Sequence, residues 1–428
     1  MSTALTVFVL LALAGVPIGL VMIGAGLTGA VTIGGLDYLE IISDRFFAGV
    51  SGFVLIAIPY FIFTAELMNR AGMTDRLVAF ANSLFGRVPG ALSHVNVTVS
   101  VFFAGITGAA VTDTVAIGRI LIPAMKREGY AANYSAAVTA CSSIIGPIIP
   151  PSIIMIVYAA TIGRISVIGL FAAGLIPGLM MAGALLAISG WLSWRRGFMR
   201  HETPSLRRVW RTGLSAFPAL FIPVVILAGI LSGATTVTEA AAIGAAYTFT
   251  LGVLAYRTIG WRELWRALVS TVSFSGVVFF LLGASTVLGW FVTRSGVARD
   301  AAEFIATLSA EPAVQILAVD ALLLVVGMFI DVLPAVVVMA PVLAPAMAQL
   351  GFDSLHFAIV MLLALNIGNI TPPVGMTLMT ASRIARIPYE SAVMASLPFL
   401  GAHLAVLVLA SVSPELVLWF PKLIGALR

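Results

Sequence analysis

Apolar stretches long enough to cross a lipid bilayer recur along the whole chain. A spanning helix needs about 20 predominantly apolar residues. Six runs are close to or above that length: 4–23, 167–194, 214–231, 237–256, 270–292 and 391–412. Of the 428 residues, 61% are hydrophobic and 10% are charged, whereas a soluble domain is about half apolar and a quarter charged. The chain is therefore predicted to be an all-α, multi-pass membrane protein with roughly ten or more membrane segments.

The rest of the composition excludes several other classes of protein. The net charge of +5 comes from cations in loops, so it does not indicate nucleic-acid binding. The only cysteine, Cys141, rules out an internal disulfide. No Gly-x-Ser-x-Gly motif or phosphate-binding loop occurs, so the chain is not predicted to be an enzyme. No metal-ligand spacing or cofactor is expected from the four scattered histidines, His94, His201, His356 and His403.

A basic segment divides the chain into two parts. The stretch "RRGFMRHETPSLRR" begins at Arg195, and the segment 195–211 holds six arginines against one acid, Glu202. The positive-inside rule places such a loop in the cytoplasm.

The two parts are copies of one unit. "LIPAMKREGY", which starts at Leu121, and "LAPAMAQLGF", which starts at Leu343, share Leu, Pro, Ala, Met and Gly at five of ten positions, at an offset of 222 residues. Upstream, an offset of 224 residues aligns Gly72 with Gly296. Glycine and proline positions shared at a nearly constant offset indicate a true duplication.

Adjacent prolines interrupt an apolar segment at the same point in each copy. Pro150 and Pro151 align with Pro372 and Pro373 at the offset of 222. A proline inside a helix costs about 3 kcal/mol, and lipid offers no water to a freed carbonyl. Matched helix breaks in two halves are typical of a secondary transporter and point to its binding site. Simple kinks in a symmetric bundle are the alternative.

The two breaks are "SSIIGPIIPPS" (142–152) and "NIGNITPPVG" (366–375). A helix broken at mid-membrane presents carbonyls that suit a cation and N–H groups that suit an anion. Hydroxyl and amide side chains add further donors and acceptors at both breaks.

A second unusual stretch in the first copy is "GITGAAVTDT" (105–114). The apolar stretches on either side of it are too short to cross a bilayer, so the unit is predicted to be a re-entrant hairpin. Such backbone is tolerated only where protein or water surrounds it. Its tip offers Thr107, Thr112 and Asp113, and oxygen ligands of this kind suit a small, hard cation.

Asp113 has two interpretations. An ionisable residue inside a membrane is a functional candidate, but an Asp is also a common N-cap, here for an arm beginning near Val115. The second hairpin has the tip "GMFIDVLPAV" (327–336), whose only ionisable residue is Asp331. At the offset of 222, Asp331 aligns with Ala109 and not with Asp113, so the two tips differ chemically.

These motifs together resemble the large membrane subunit of tripartite ATP-independent periplasmic (TRAP) transporters, the DctM-like permeases. The resemblance is carried, in order, by "GITGAAVTDTVAIGRILIPAMKREGY", "IIGPIIPPSIIMIVYA", "TTVTEAAAIG" and "NIGNITPPVG". It implies the fold of the ion transporter superfamily, with two inverted repeats that each contain a re-entrant helical hairpin and a broken transmembrane helix. Scaffold helices would surround a transport domain that moves as an elevator.

On this resemblance the chain divides into N-terminal scaffold helices, two repeats and a connecting region. The expected boundaries are scaffold helices at 1–50, repeat 1 at 51–194 (hairpin 89–128, broken helix 131–163), a basic linker at 195–211, scaffold helices at 212–274, and repeat 2 at 275–428 (hairpin 312–350, broken helix 355–385) with a C-terminal helix.

The resemblance also implies that sodium and substrate bind where the tips face the breaks. The candidate residues are Gly105, Thr107, Gly108, Thr112 and Asp113 at the first tip, Ser143, Gly146, Pro150, Pro151 and Ser152 at the first break, Gly327 and Asp331 at the second tip, and Asn366, Gly368, Thr371, Pro372, Pro373 and Gly375 at the second break.

The implied function is sodium-coupled uptake of an organic acid across the bacterial inner membrane, with Na⁺ as the coupling ion. The acid would be a dicarboxylate, sialic acid or another sugar acid. A periplasmic binding protein would deliver it, and a separate small four-helix membrane subunit would complete the scaffold. A self-sufficient sodium–carboxylate symporter of the same superfamily is the first alternative, and a channel or purely structural subunit is the second.

Overall fold

The computed structural model describes residues 2–85, 88, 90–107, 109–196 and 205–426, with side chains for all of these except 2, 104–107 and 196. The described residues form helices and no strand. Eight of those helices are long and apolar enough to span a membrane. The prediction of an all-α, multi-pass membrane protein is confirmed. The expected ten or more full-length segments is too high, because several apolar segments are pairs of shorter helices.

The N-terminal helices are shorter than the hydropathy pattern predicts. The apolar run 4–23 forms two helices and not one, because Gly15 has a positive φ of 76° and Pro17 precedes the second helix. The helices of this region are α1 (Ser2–Leu13), α2 (Ile18–Gly34), α3 (Leu39–Val50), α4 (Ala57–Arg70) and α5 (Met73–Leu84).

Two pairs of short helices follow, one for the first hairpin and one for the first broken helix, and then a long span. They are α6 (Ala91–Thr107), α7 (Ala110–Arg127), α8 (Ala132–Ser143), α9 (Ile153–Ile162) and α10 (Val167–Arg196). Of the basic segment, residues 197–204 lie outside the described part of the chain.

The second part of the chain begins with three long helices and then repeats the same pattern. Its helices are α11 (Leu206–Leu231), α12 (Val237–Thr250, extended by a π-helical turn at Leu251–Ala255), α13 (Trp261–Ser295), α14 (Val297–Leu308), α15 (Pro312–Phe329), α16 (Val332–Gln349), α17 (Ser354–Gly368), α18 (Met376–Ala385), α19 (Tyr389–Val412) and α20 (Pro414–Leu423).

The backbone follows the duplication seen in the sequence. Gly72 and Gly296 both adopt a left-handed conformation, with φ of 66° and 77°, and each precedes a helix of 12 residues. The hairpin α6–α7 and the broken helix α8–α9 correspond to α15–α16 and α17–α18. The aligned glycines therefore mark equivalent turns, as their spacing predicts.

The two copies are interleaved around a common centre. The second arm of each hairpin packs against the half-helix beyond the break of the other copy, so that α7 contacts α18 and α16 contacts α9. Lys126, at the base of the first hairpin, donates a hydrogen bond of 3.1 Å to the carbonyl of Ala385 at the end of α18. Because each copy packs against the broken helix of the other copy, both tips and both breaks lie in one region of the molecule.

Two acidic side chains outside that region have structural roles. Glu66 and Arg70 form an i,i+4 ion pair at 3.1 Å on α4. Glu239 lies in the first turn of α12, where it forms a capping box with Thr236. Contacts within the protein therefore account for both acids without a bound ligand.

Candidate functional site

Most of the polar stretch 105–114 at the first tip is helical. The helix α6 continues to Thr107 and α7 begins at Ala110. Predicted site residue Gly108 lies outside the described residues, and Gly105 and Thr107 are described only by their backbone in the last turn of α6.

Asp113 lies inside α7 and does not cap it. The N-cap of α7 is Ala109, so the expectation that Asp113 could cap an arm starting near Val115 is wrong. The carboxylate is fully buried against Gly146 of the first break, where a Cβ atom would collide with its Oδ2 atom. A Cβ atom at position 146 would displace this carboxylate from its present place, and the first tip therefore packs directly on the first break.

Serines hold the two sides of the first break. Ser143 ends α8 and donates its hydroxyl to the carbonyl of Thr139 at 2.8 Å. Ser152 is the N-cap of α9, where it accepts from the amide of Met155 and donates to the carbonyl of Pro147 at 2.7 Å. The hydroxyl protons of both predicted site serines are thus used in hydrogen bonds to backbone carbonyls. A ligand could contact only the lone pairs of these hydroxyl oxygens.

The aligned proline pairs have the same backbone geometry. The peptide bonds Pro150–Pro151 and Pro372–Pro373 are both cis. Each pair lies between the two half-helices of its copy, before α9 and before α18.

The second tip is bonded to the second break through side chains. Asp331 is the N-cap of α16 and accepts from the amide of Val332 at 2.9 Å. The same carboxylate oxygen accepts from Nδ2 of Asn369 at 2.9 Å. Ala109 and Asp331, which the offset of 222 aligns, are therefore both N-caps of the second hairpin arm, with different chemistry at one structural position.

Glycines allow the second tip and the second break to approach closely. A Cβ on Gly327 would lie 2.5 Å from the carbonyl oxygen of Leu365, and one on Gly368 would lie 2.7 Å from the Cα of Gly327. The amide of Gly375, whose φ is +49°, donates to the carbonyl of Met328 at 3.2 Å. Four predicted site residues of the second copy therefore belong to one packed unit, namely Gly327, Asp331, Gly368 and Gly375.

Three buried oxygens in this unit accept no hydrogen bond from the described residues. They are Oδ1 of Asn366, Oδ1 of Asn369 and Oγ1 of Thr377. The Nδ2 group of Asn366 donates to the carbonyl of Leu362, and the hydroxyl of Thr371, which follows α17, donates to the carbonyl of Ile367 in that helix. Thr377 was not among the predicted residues, although its position in the first turn after a helix break is a signal that could have identified it.

Amide, hydroxyl and carboxylate oxygens form the polar part of the second break. No group of three or more His, Cys, Asp or Glu side chains that could hold a metal ion occurs in the part of the chain that the structure describes. A donor set with few charges and several neutral oxygens suits a hard cation of low charge better than a soft transition metal.

A small cavity of about 190 Å³ lies where the two tips meet. Ala109 and Thr112 line it from the first hairpin, and Asp331 from the second. Ile153 at the start of α9 and Phe274 of α13 complete the wall. This cavity joins both tips, the first break and a long spanning helix, which none of the sequence motifs could show alone.

The sequence analysis missed one buried carboxylate. Asp320, in the middle of α15, is 2% exposed and accepts a hydrogen bond of 2.6 Å from Ser411 of α19. A single charge inside the apolar stretch "AVQILAVDALLLVV" is the signal that could have identified it.

Nearly the whole chain matches one protein family. Residues 5–416 match the family model described as "Tripartite ATP-independent periplasmic transporter, DctM component". The chain belongs to this family. It is a multi-pass inner-membrane transport protein and not an enzyme, as the sequence predicts.

Curated relatives of the chain are large permease proteins of TRAP transporters. The sialic acid TRAP transporter large permease SiaM of Vibrio cholerae is 35% identical over 410 residues, which cover 96% of each chain. The 2,3-diketo-L-gulonate TRAP transporter large permease YiaN of Escherichia coli is 32% identical over 418 residues, which cover 97% of this chain and 98% of YiaN.

The fold is also found in a solved transporter with little sequence similarity. The crystal structure of the Alcanivorax borkumensis YdaH transporter, described as having an unusual topology, aligns with a TM-score of 0.64 at 13% identity and covers 95% of this chain and 97% of YdaH. The similarity concerns the fold alone.

Proposed function

We propose that this TRAP large permease carries an organic acid into the cell by sodium-coupled secondary transport. The observation that carries the proposal is the meeting of both hairpin tips at one cavity, with each tip joined to the break of its own copy. Asp113 packs on Gly146 in the first copy, and Asp331 is bonded to Asn369 in the second. Discontinuous helices of this kind hold substrates and coupling ions in transporters.

The sodium ions would bind where each tip meets its break. In the second copy the unsatisfied oxygens of Asn366, Asn369 and Thr377 are the ligands that the structure offers. In the first copy, the carboxylate of Asp113 and the carbonyls of the break would play that part. A buried polar oxygen without a partner is costly, and a bound cation would remove that cost.

The organic acid would bind in the cavity between the tips. The relatives of this chain, SiaM and YiaN, carry names that specify sialic acid and 2,3-diketo-L-gulonate, which are both sugar acids. The exposed hydroxyl of Thr112 and the N-terminal end of α9, with its positive dipole, face this cavity and suit a carboxylate.

The moving unit would be the two hairpins with the two broken helices. Their interleaved packing, α7 with α18 and α16 with α9, supports movement as one body. The helices α2, α3 and α13, which pack against one another, would form part of a fixed scaffold. An elevator movement would then carry the cavity past α13, which contributes Phe274 to its wall.

Two partner proteins complete the proposed system. A periplasmic binding protein would deliver the acid, and a small four-helix membrane subunit would extend the scaffold. The family description as one component of a tripartite transporter supports both partners.

Uptake into proteoliposomes tests this proposal. The chain is reconstituted with its proposed four-helix subunit and supplied with N-acetylneuraminate, 2,3-diketo-L-gulonate or succinate, with and without the proposed binding protein. We expect accumulation of at least one acid only with an inward sodium gradient and the binding protein. Robust accumulation without the binding protein would support the self-sufficient symporter instead, and purely downhill flux would indicate a channel.

A further inference from the structure

A second and larger cavity lies away from the tips and is lined by three arginines. Its volume is about 980 Å³, which falls in the range of small-molecule binding sites. Arg45 comes from α3, Arg164 from the turn after α9, and Arg294 from the last turn of α13. No Asp or Glu is among the residues that line it.

The three guanidinium groups have no protein anion to neutralise them. None of them lies within 4.0 Å of a carboxylate of the described residues, whereas Arg70 and Arg299 each form an i,i+4 ion pair. All three are exposed and face one concave space. Three uncompensated cations around a cavity produce a positive potential that attracts and concentrates anions.

These arginines lie on the side of the membrane where cations are least expected. The helix α10 has 30 residues and spans about 45 Å, so Arg164 before it and the basic segment after it are on opposite sides. Three spanning helices, α11, α12 and α13, likewise separate that segment from Arg294. Because the basic segment is placed in the cytoplasm, the cavity faces the periplasm.

The cavity is connected to the tip region by one helix. The helix α16 begins with Val332 and Leu333, which line the small cavity between the tips. Further along the same helix, Pro341 and Ala344 line the arginine cavity. Eight residues of helix, about 12 Å, separate Leu333 from Pro341. A small anion held by the arginines would thus be close to the tips, on the side from which substrate arrives.

We propose that this arginine cavity is a receiving site for the carboxylate of the transported acid, occupied before the acid reaches the cavity between the tips. The proposal rests on the proposed function for the identity of its ligand. Guanidinium groups bind carboxylates through paired, charge-assisted hydrogen bonds. The indole of Trp290 and the phenol of Tyr38, whose ring centroids are 5.8 Å apart, form an aromatic wall beside them.

The same guanidinium chemistry would also bind the phosphate of a lipid headgroup. A concave space with walls from α3, α9, α13 and α16 favours a compact solute over a lipid, which would need a path for its acyl chains. The two sources are separated experimentally by omitting anionic lipid.

Binding without sodium isolates the receiving site from the tip site. The chain with its four-helix subunit is placed in phosphatidylcholine nanodiscs, sodium is replaced by choline, and equilibrium binding of radiolabelled N-acetylneuraminate and succinate is measured. We expect saturable binding of one of them that the double variant Arg164→Gln, Arg294→Gln weakens by about tenfold or more. Arg299→Gln, which removes a nearby cation that does not line the cavity, should leave binding unchanged.

Uptake measurements distinguish failure of this proposal from failure of the proposed function. The double arginine variant should raise the KM for uptake and retain the maximal rate, whereas Asp331→Asn should abolish uptake and retain sodium-free binding. Absence of sodium-free binding, or binding insensitive to the arginine substitutions, would overturn the receiving site even if sodium-driven uptake persists. Phosphatidylglycerol that copurifies with the wild type and not with the double variant, without a change in acid binding, would assign the cavity to lipid and overturn it as well.

Discussion

The amide nitrogen of Asn369 lies 2.9 Å from a carboxylate oxygen of Asp331, and this bond joins the second broken helix to the tip of the second hairpin. The same carboxylate oxygen caps α16. The bond also fixes the side chain of Asn369 so that its Oδ1 atom is left without a partner among the described residues. One hydrogen bond thus sets the helix start, the packing of the tip and the orientation of a candidate cation ligand.

We predict that Asn369→Ala weakens the response to sodium. The substitution removes a hydrogen bond to a charged group, worth about 1.5–3 kcal/mol, and a candidate sodium ligand. The sodium concentration for half-maximal uptake should therefore rise by about tenfold to hundredfold. Gln315→Ala is the matched control. Gln315 lies at the base of the second hairpin, away from the tip, and its side-chain amide donates to the carbonyl of Ser309. An unchanged sodium dependence of Asn369→Ala would remove this residue from the site.

Replacing Gly368 by alanine should destabilise the protein by steric overlap. A Cβ there would lie 2.6 Å from the carbonyl of Leu324 and 2.7 Å from the Cα of Gly327, and backbone atoms cannot move aside easily. Overpacking of this kind costs about 1–3 kcal/mol. Thermal unfolding in detergent should show a Tm several degrees lower. Gly401→Ala, which meets no atom within 4 Å, should leave the Tm unchanged, and equal Tm values for the two variants would contradict the close crossing.

The carboxylate of Asp113 should be needed for the sodium response of the first copy. Asp113→Asn removes its charge, and Gly146→Ala displaces it, since a Cβ at position 146 would collide with Oδ2. Both variants should reduce the sodium dependence of uptake. Gly183→Ala serves as the control for glycine replacement, because a Cβ at Gly183 would have open space around it. Normal transport and a normal sodium response in Asp113→Asn would show that this carboxylate is only structural.

Replacing Ser152 by alanine should lower the free energy of unfolding more than removing an exposed N-cap does. Its hydroxyl both caps α9 and bonds across the break to Pro147, and it is fully buried. Loss of an N-cap costs about 1 kcal/mol, and the stranded carbonyl of Pro147 adds to this. Chemical denaturation should show a larger loss for Ser152→Ala than for Ser205→Ala, which removes the exposed cap of α11. Equal losses would mean that the bond across the break contributes nothing.

The sequence was sufficient to predict the unit that is repeated, because glycine and proline positions are fixed by backbone geometry. The spacing of Gly72 and Gly296 predicted equivalent turns, and the aligned prolines predicted equivalent breaks. Hydropathy also predicted a multi-pass helical protein. It failed at 4–23, since an apolar run does not show that Gly15 and Pro17 end one helix and begin another.

The side-chain contacts of the site could not be predicted from spacing. The offset shows that Asp113 and Asp331 do not align, but it does not show that one lies within a helix against Gly146 and that the other caps a helix. Thr377 and Asp320 depend on contacts between helices that are far apart in sequence, so no local motif marks their partners. The exchange of half-helices between copies, α16 with α9, likewise exists only in three dimensions.

Binding of radioactive sodium tests the central claim most directly, because it needs neither substrate nor binding protein. Two threonines on α18 form a matched pair, since Thr377 has a buried hydroxyl without a partner and the hydroxyl of Thr380 is bonded to its own helix. Equilibrium binding of ²²Na⁺ to the purified protein should be saturable, should be weakened by Thr377→Val and should be unaffected by Thr380→Val. Binding that does not saturate, or that the two variants change equally, would contradict the account.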